Sequence, residues 1–201
     1  MASLVVRKIL TDKREIFLTF DDGPDRIGTS RVLDVLARNQ AKATFFLIAQ
    51  KARLASEAVQ RMIDEGHAIG NHSLDHRYGV FFQGSRVVRK WVEDSQAEFA
   101  RMGIRSVGFR PPAGIVVPPL IKAARELNEP LILWNQRFYD TVFPWSEAKA
   151  LRLIEKLTEG SIILLHDRQR ASRIDEFCRV LELFIQRVKL RGFDLSPLSR
   201  P

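Results

Sequence analysis

Apolar positions along the chain form short continuous runs that alternate with longer segments of helical periodicity. The runs are rich in β-branched and aromatic residues, which favours strands. The predicted strands are residues 15–21, 42–48, 67–71, 107–110, 130–134 and 161–165, and the predicted helices are residues 30–39, 51–65, 85–101, 118–127, 146–158 and 172–190. This alternation predicts an α/β fold of parallel strands joined by crossover helices. A barrel and an open doubly wound sheet satisfy the pattern equally well.

The alternation continues along the whole chain of 201 residues, a length that suits one domain. No linker, internal repeat or low-complexity segment interrupts it. We therefore expect a single domain over residues 1–201. The longest irregular stretches are residues 74–84 and 135–145, and we expect both loops to contribute to a functional site.

The charge balance is basic, with 32 Lys and Arg against 24 Asp and Glu and a net charge of +8. Such a balance indicates an anionic partner. The basic residues are nevertheless interspersed with acidic ones, as in "RVVRKWVEDSQAEFAR", and form no recognised nucleic-acid motif. We therefore expect solvated helix faces or a field that steers an anionic substrate, and no nucleic-acid partner.

The sequence also bears on compartment and redox state. The lone Cys178 recurs at helical spacing with apolar residues, which predicts a packed core position. The start "MASLVVRKILTDKRE" lacks the apolar segment of a secretory signal, and no later run reaches membrane-spanning length. As the sequence stands we expect a soluble cytoplasmic protein, or a periplasmic or extracellular one if its N terminus was processed or recloned.

Polar side chains follow most of the predicted strands, at the point where each strand ends. In both architectures, ligands and catalytic groups gather beyond the carboxyl ends of parallel strands. The residues at these positions are Asp21, Asp22, His72, His76, Arg110, Asp140, His166 and Asp167. Groups from five separate strands are therefore expected to meet at one rim.

Two histidines and an adjacent carboxylate pair suggest a metal site. His72 and His76 are four residues apart, so on one helical turn both imidazoles would face the same way and hold one cation. Asp21 or Asp22 would complete a set of two His and one carboxylate, which leaves a coordination position open. One carboxylate then binds metal while the other accepts protons. The alternative is an Asp pair that caps the next helix or turns the chain at residues 23–24.

Four motifs occur in a specific order: "TFDDGP" (19–24), "HSLDH" (72–76), "RPPAG" (110–114) and "LLHD" (164–167). With them the chain resembles the NodB-homology polysaccharide deacetylases, the fourth carbohydrate esterase family, from about residue 15 to the end. The resemblance implies a distorted, incomplete (β/α) barrel, similar to a TIM barrel, with about seven parallel strands. It also implies hydrolysis of N-acetyl groups on N-acetylglucosamine polymers such as chitin, chitooligosaccharides or peptidoglycan.

The resemblance divides the two carboxylates between two roles. The first, Asp21, is expected to be the general base. The second, Asp22, is expected to join His72 and His76 in binding Zn²⁺ or another divalent ion such as Co²⁺. The division agrees with the chemistry, because a bound cation acidifies its water and a free carboxylate then removes the proton.

The resemblance assigns four further residues, and position at the strand ends assigns a fifth. The backbone N–H of Ala113 would stabilise the oxyanion, and Leu164 would line a pocket for the acetyl methyl group. Arg110 would pair with the base, and Asp140 would orient the acidic histidine and raise its pKa. His166 is the remaining histidine at the rim, and we assign it as the general acid that protonates the departing amine.

The chain departs from the family pattern at two motifs. The third motif usually has an aromatic residue where this chain has Ala113. The fourth is commonly Asp-x-x-Asp-Trp, whereas "WNQRFYDTVF" keeps only Asp140 and has Arg137 and Thr141 at the other two places. Aromatic residues in the same loop either stack on sugar rings or cover the end of the barrel; they are Phe138, Tyr139, Phe143 and Trp145.

The leading hypothesis is a metal-dependent deacetylase whose partner is a glycan substrate that contains N-acetylglucosamine, and the basic charge would suit an anionic glycan. A non-catalytic protein that binds an anionic glycan is the first alternative, and the altered fourth motif favours it. A deacylase of a different N- or O-acyl substrate is the second. A metal phosphoesterase acting on nucleic acid is a third, suggested by the charge alone.

Overall fold

Strands and helices alternate along the chain, as the apolar pattern predicts, in a computed structural model that describes residues 4–200. The strands are β1 Val5–Val6, β2 Glu15–Asp21, β3 Thr44–Leu47, β4 Ala68–Asn71, β5 Leu131–Ile132, β6 Gln136–Arg137, β7 Ile162–His166 and β8 Asp194–Leu195. The helices are α1 Gly28–Arg38, α2 Ala49–Leu54, α3 Ser56–Asp64, α4 Ser85–Arg101, α5 Pro118–Glu126, α6 Glu147–Ile154 and α7 Ile174–Leu190. Short 3₁₀ turns lie at Tyr78–Phe82 and Pro112–Gly114.

The sheet has the order β4-β3-β2-β7-β6, with β8 beside the start of β2 and β1 beside β5. All of these strand pairs are parallel. Isolated parallel bridges from Asn71 to Phe109 and from Phe109 to Leu131 connect β4 with β5. The segment 131–137 therefore meets β1 at its start and β7 at its end. The strands curve into the distorted, incomplete barrel that the family resemblance implies, with a ladder that is interrupted at Phe109.

Several predicted elements differ from those observed. The predicted strand 107–110 contributes only the two bridges at Phe109, and Pro111 and Pro112, which have no backbone N–H to donate, follow it directly. The predicted helix 51–65 consists of two helices separated at Ala55, whose ψ of 47° is not helical. β1, β6 and β8 have two residues each, too few for a periodic pattern to be recognised.

The central strand β2 has two different faces. Successive side chains of a strand point to opposite sides. One face packs into the large apolar layer shared with α1 and α7, through Ile16, Leu18 and Phe20. The other face points into the barrel and carries Phe17, Thr19 and Asp21. The same alternation on β7 separates its apolar core residues Ile163 and Leu165 from Leu164 and His166, which line the cleft.

The register of the central strands decides which rim residues become neighbours. Asp21 is paired with His166 on β7 and with Phe46 on β3. Adjacent strands lie about 4.8 Å apart, so two residues far apart in sequence come together at the end of the barrel. The two groups predicted to handle protons are thus brought side by side by backbone hydrogen bonding.

The remaining expectations on packing are confirmed within residues 4–200. Cys178 is buried on α7 in the apolar layer, and burial raises the pKa of its thiol, which keeps it protonated and unreactive. No described helix is both long enough and apolar enough to cross a bilayer.

Gly160 and Gly103 offer a matched test of how tightly the chain is packed before β7. Both have a left-handed backbone, with φ of 77° and 71°. A Cβ at Gly160 would lie 1.9 Å from the Ile9 carbonyl oxygen, whereas a Cβ at Gly103 meets nothing within 4 Å. We expect Gly103→Ala to lower the free energy of unfolding by about 1 kcal/mol from backbone strain alone. Gly160→Ala should cost at least twice as much, and equal losses in urea unfolding would contradict this packing.

Candidate active site

The carboxyl ends of the strands open into a cleft of about 550 Å³. The predicted site residues that line it are Asp21, Asp22, His72, His76, Ala113, Asp140, Leu164 and His166. Arg110 lies beneath the cleft, with a fully buried side chain that contacts Asp21. The structure thus brings together in one site the groups that the strand ends predict, except Asp167, whose buried side chain lies beside Gly23 and does not line the cleft.

Asp22, His72 and His76 converge as a possible metal-binding triad. The Asp22 Oδ1 atom lies 3.4 Å from His72 Nε2 and 3.1 Å from His76 Nε2, and one ligand atom of each residue lies within 4.8 Å of the others. The spacing of the two histidines suggested that they lie on one helical turn. The structure has no helix there. Ser73 has a φ of 78° and His76 a φ of 61°, so a left-handed turn brings the rings together.

Hydrogen bonds explain this turn and the tautomer of His72. The Ser73 N–H donates to Asn71 Oδ1, and the His76 N–H donates to Ser73 Oγ, which are side-chain turns typical of Asn and Ser. The His72 Nδ1 atom lies 2.8 Å from the Arg110 carbonyl oxygen. A carbonyl only accepts, so Nδ1 carries the proton and Nε2 keeps its lone pair for a ligand.

The triad suits a divalent cation. Two imidazoles and one carboxylate are a donor set typical of catalytic zinc and related ions. Burial raises the pKa of Asp22, but the interactions of its carboxyl with His72 and His76 outweigh burial and hold this pKa well below its ordinary value. The site therefore presents an ionised carboxylate at the point where a cation would bind.

Asp21 has a different partner from its neighbour in sequence. It is 3% exposed, and one oxygen accepts a hydrogen bond of 2.7 Å from Arg110 Nη1. Asp22 has a φ of 73°, a left-handed conformation, while Asp21 is the last residue of β2. Asp21 is thus paired mainly with the arginine and Asp22 with the histidines, while Asp21 Oδ2 lies 3.8 Å from His72 Nε2, farther than the 3.4 Å of Asp22 Oδ1.

The Arg110 guanidinium is buried inside the barrel and is extensively paired. It donates to Thr19 Oγ1 at 2.7 Å and to the carbonyl oxygens of Ile132 and Leu133, both at 3.0 Å. Its Cζ atom lies 3.8 Å from the Phe46 ring centroid. Burial lowers the pKa of Arg110, and the charge and hydrogen bond of Asp21 oppose that shift. Each buried charge of the pair therefore depends on the other.

His166 and Asp140 form the second charged pair of the cleft. The His166 Nδ1 atom lies 3.0 Å from Asp140 Oδ1, and the His166 backbone N–H donates to Asp140 Oδ2 at 2.9 Å. Burial lowers the pKa of His166, but the hydrogen bond and charge of Asp140, helped by Asp21 and Asp22, outweigh it and raise the pKa to about 9. The imidazole is therefore protonated at neutral pH.

Ala113 and Leu164 line the cleft on either side of these groups. Ala113 has a φ of 53° in the turn Pro112–Gly114, and its N–H has no hydrogen-bond acceptor within residues 4–200. Leu164 is 4% exposed. Trp134 also lines the cleft, and its ring approaches Gly114 so closely that a Cβ there would lie 2.7 Å away. Trp134 thus supplies an aromatic wall near the position where Ala113 lacks one.

The aromatic residues of the loop after β6 divide between the two predicted roles. Phe138 and Trp145 are buried and pack against each other at 4.5 Å between ring centroids, so they cover the end of the apolar layer. Tyr139 and Phe143 are 51% and 57% exposed. These two remain available to contact a ligand.

Asp167 and Gln169 are functional candidates that the sequence analysis left without a role. Gln169 Nε2 donates to Asp140 Oδ2 at 3.0 Å and so holds the partner of His166. Asp167 is fully buried, accepts a hydrogen bond from the Thr29 hydroxyl and fills the space beside Gly23. Burial, with the charges of nearby acids, raises the pKa of Asp167 to about 7. Gly23, which follows the Asp pair and has no side chain, was the signal in the sequence for the close approach of Asp167.

Comparisons with known proteins agree with the fold and with the family resemblance. Residues 8–131 match the family model described as polysaccharide deacetylase. A peptidoglycan-N-acetylglucosamine deacetylase of Bacillus cereus is 29% identical over 191 residues, which cover 88% of this chain and 84% of that protein. A chitooligosaccharide deacetylase of Rhizobium leguminosarum bv. phaseoli is 33% identical over 159 residues, covering 78% and 69%.

A solved structure is also similar. The crystal structure of the Bc1960 peptidoglycan N-acetylglucosamine deacetylase superposes with a TM-score of 0.87 at 28% identity, covering 97% of this chain and 91% of that one. The chain therefore belongs to the polysaccharide deacetylase family, the NodB-homology group to which its four motifs pointed.

The buried Arg110–Asp21 pair leads to a test by double-mutant cycle. Arg110→Met leaves the Asp21 charge buried without its cation, and we expect the free energy of unfolding to fall by about 3–5 kcal/mol. Asp21→Asn with Arg110→Met should cost less than the sum of the two single changes, because no charge is left unpaired. Arg105→Met, at an exposed arginine, serves as the control and should change stability by no more than about 0.5 kcal/mol. Strict additivity in urea unfolding would refute the coupling.

Proposed function

We propose that this chain is a metal-dependent hydrolase that removes N-acetyl groups from a glycan containing N-acetylglucosamine and releases acetate. The observation that carries the proposal is the strand register that sets Asp21, which is paired with Arg110, beside His166, whose pKa is raised, at the edge of one cleft. Relatives named for the deacetylation of peptidoglycan and of chitooligosaccharides support this substrate class. We take residues 1–201 as one catalytic domain.

Asp22, His72 and His76 would hold the cation, for which Zn²⁺ or Co²⁺ fits the donor set. When bound, the cation supplies Lewis acidity to the acetyl carbonyl and lowers the pKa of water. The hydrogen bond from His72 Nδ1 to the Arg110 carbonyl fixes the ring so that Nε2 faces the site. These three residues are thus assigned to binding rather than to proton transfer.

Asp21 is the proposed general base. It takes a proton from the attacking water as the water oxygen bonds to the acetyl carbon. Arg110 supports this role in two ways, since its charge favours the ionised carboxylate and its hydrogen bond fixes one oxygen. The other oxygen, Oδ2, lies 3.8 Å from His72 Nε2, on the side of the triad.

The remaining residues act on the carbonyl oxygen and the departing nitrogen. The Ala113 N–H is the proposed donor to the oxygen as its negative charge develops. His166 donates its proton to the amine nitrogen as the carbon–nitrogen bond breaks, and Asp140 holds the ring and its charge during that step. Leu164 is positioned to contact the acetyl methyl group. The products are acetate and a free amine on the sugar.

The role of Asp21 leads to a direct test of the proposed function. Protein loaded with Zn²⁺ or Co²⁺ should release acetate from N-acetylglucosamine oligomers or from peptidoglycan. Asp21→Asn should reduce kcat by about 10²–10⁴ and still bind one equivalent of metal, because the triad is unchanged. Asp12→Asn, at an exposed acid outside the cleft, should behave as wild type. Acetate release at wild-type rate by Asp21→Asn would overturn the assignment.

Wild-type protein that binds stoichiometric metal but releases acetate from neither substrate would contradict the proposed function. That result would favour a non-catalytic glycan-binding protein or a different acyl substrate. Both alternatives keep the metal triad, but only the binding protein removes the need for a base and an acid.

The raised pKa of His166 predicts the alkaline limb of the pH profile. The general acid must be protonated, so kcat should fall as the pH rises through about 9. Asp140→Asn removes the hydrogen bond and charge that favour the protonated ring, so the limb should move to lower pH. Asp12→Asn should leave it in place. An unchanged alkaline limb in Asp140→Asn, measured as kcat against pH, would remove Asp140 from this role.

A further inference from the structure

Four arginines line the cleft, namely Arg137, Arg168, Arg170 and Arg173. Three of them lie in the short loop between β7 and α7, directly after His166. We refer to these four residues as the arginine rim. Arg137, Arg168 and Arg170 are exposed and Arg173 is half-buried. The rim therefore forms a cationic border on the side of the cleft that carries the proposed acid.

No arginine of the rim has an acidic partner, whereas nine of the nineteen other arginines within residues 4–200 pair with a carboxylate. Arg61, for example, pairs with both Asp34 and Glu65, and other surface arginines pair within or between helices. Within residues 4–200, no carboxylate lies within 4.0 Å of a rim guanidinium. Neighbouring like charges repel, and a group of them is stabilised by an external anion.

The acids of the cleft do not neutralise the rim, since each already has a partner. Asp21 pairs with Arg110, and Asp140 pairs with His166. Asp22 faces the two histidines of the triad. The border of the cleft consequently has an excess of positive charge, and no unpaired carboxylate of the cleft balances it.

One rim residue is also held in place by aromatic rings. The Arg137 guanidinium lies 3.7 Å from the Tyr139 ring centroid and 5.8 Å from that of Trp134, and all three residues border the cleft or its loop. Stacking of this kind orients the guanidinium while its N–H groups stay free to donate. Arg137 is thus presented to the cleft as a hydrogen-bond donor.

We propose that the arginine rim binds a carboxylate on the substrate, so that this chain deacetylates a glycan whose reacting sugar or its neighbour is anionic. The inference rests on the proposed function and specifies its substrate. A guanidinium matches the two oxygens of a carboxylate with parallel hydrogen bonds. A cleft bordered by one sign of charge also concentrates substrates of the opposite sign. An uncharged N-acetylglucosamine oligomer offers the rim no partner.

The test compares two tetramers that differ only in charge. Both alternate N-acetylglucosamine with N-acetylmuramic acid; one has free lactyl carboxylates and the other has them converted to amides. We expect kcat/KM for acetate release by the metal-loaded wild type to be about tenfold higher for the acid form at low salt. The ratio should approach one as the ionic strength rises, because exposed charges are screened. Equal kcat/KM for the two forms at low salt would overturn the proposal.

A pair of double variants separates the rim from the overall charge of the protein. Arg168→Gln with Arg170→Gln should lower kcat/KM for the acid form about tenfold more than for the amide form, mainly through KM. Arg53→Gln with Arg86→Gln removes the same charge from exposed positions outside the cleft and should leave the ratio as in wild type. All four positions are exposed, so thermal unfolding should show folded proteins. Equal effects of the two double variants would refute local recognition by the rim.

Calorimetric titration of both tetramers keeps the rim testable if the proposed function fails. Wild type should bind the acid form about tenfold more tightly than the amide form at low salt. If acetate is released from neither tetramer, the hydrolase proposal fails. The ratio of dissociation constants still shows whether the arginine rim binds a carboxylate. Equal dissociation constants would overturn the proposed binding of a carboxylate by the arginine rim, whether or not the chain is an enzyme.

Discussion

The buried guanidinium of Arg110 is the interaction on which the rest of the structure depends. A charge placed inside a barrel is stable only if every donor finds an acceptor. Each of the three Arg110 nitrogens has an acceptor, and four of the five N–H groups donate: two to Asp21 and Thr19 on β2, and two to the carbonyl oxygens of Ile132 on β5 and of Leu133 just after it. Its own carbonyl then accepts from His72. One residue thereby joins the strands, gives the proposed base a cationic partner and selects the tautomer of a proposed ligand.

Parallel pairing with a two-residue period turns this fold into a site. Every second side chain of β2 and β7 enters the apolar layer beneath the helices, and the others face the cleft. Each of these strands therefore contributes alternate residues to the apolar core and to the cleft. Asp21 and His166 meet because their strands are in register, while their charges are maintained by separate partners, Arg110 and Asp140.

The sequence predicted those parts of the molecule that depend on long apolar patterns and on motif spacing. β2 was predicted over its full length because seven residues show a clear pattern. The site residues at the carboxyl ends of the strands were predicted from where the strands end. The turn at His76 and the left-handed Asp22 were not predictable, because their conformations depend on hydrogen bonds to Asn71 and on contacts between strands. The arginine rim was also missed, since charges in a loop have the same local pattern as a solvated surface.

The pairing of β2 with β7 has a further consequence for how activity arises during synthesis. The two strands lie near opposite ends of the described chain, and β7 is made long after β2 has left the ribosome. Contacts of such long range form late and slowly. A nascent or truncated chain therefore contains the base and the ligand histidines without the acid beside them. Competence for hydrolysis would appear in one step, when the strand that carries His166 joins the centre of the sheet, so catalytic turnover would report completion of the fold.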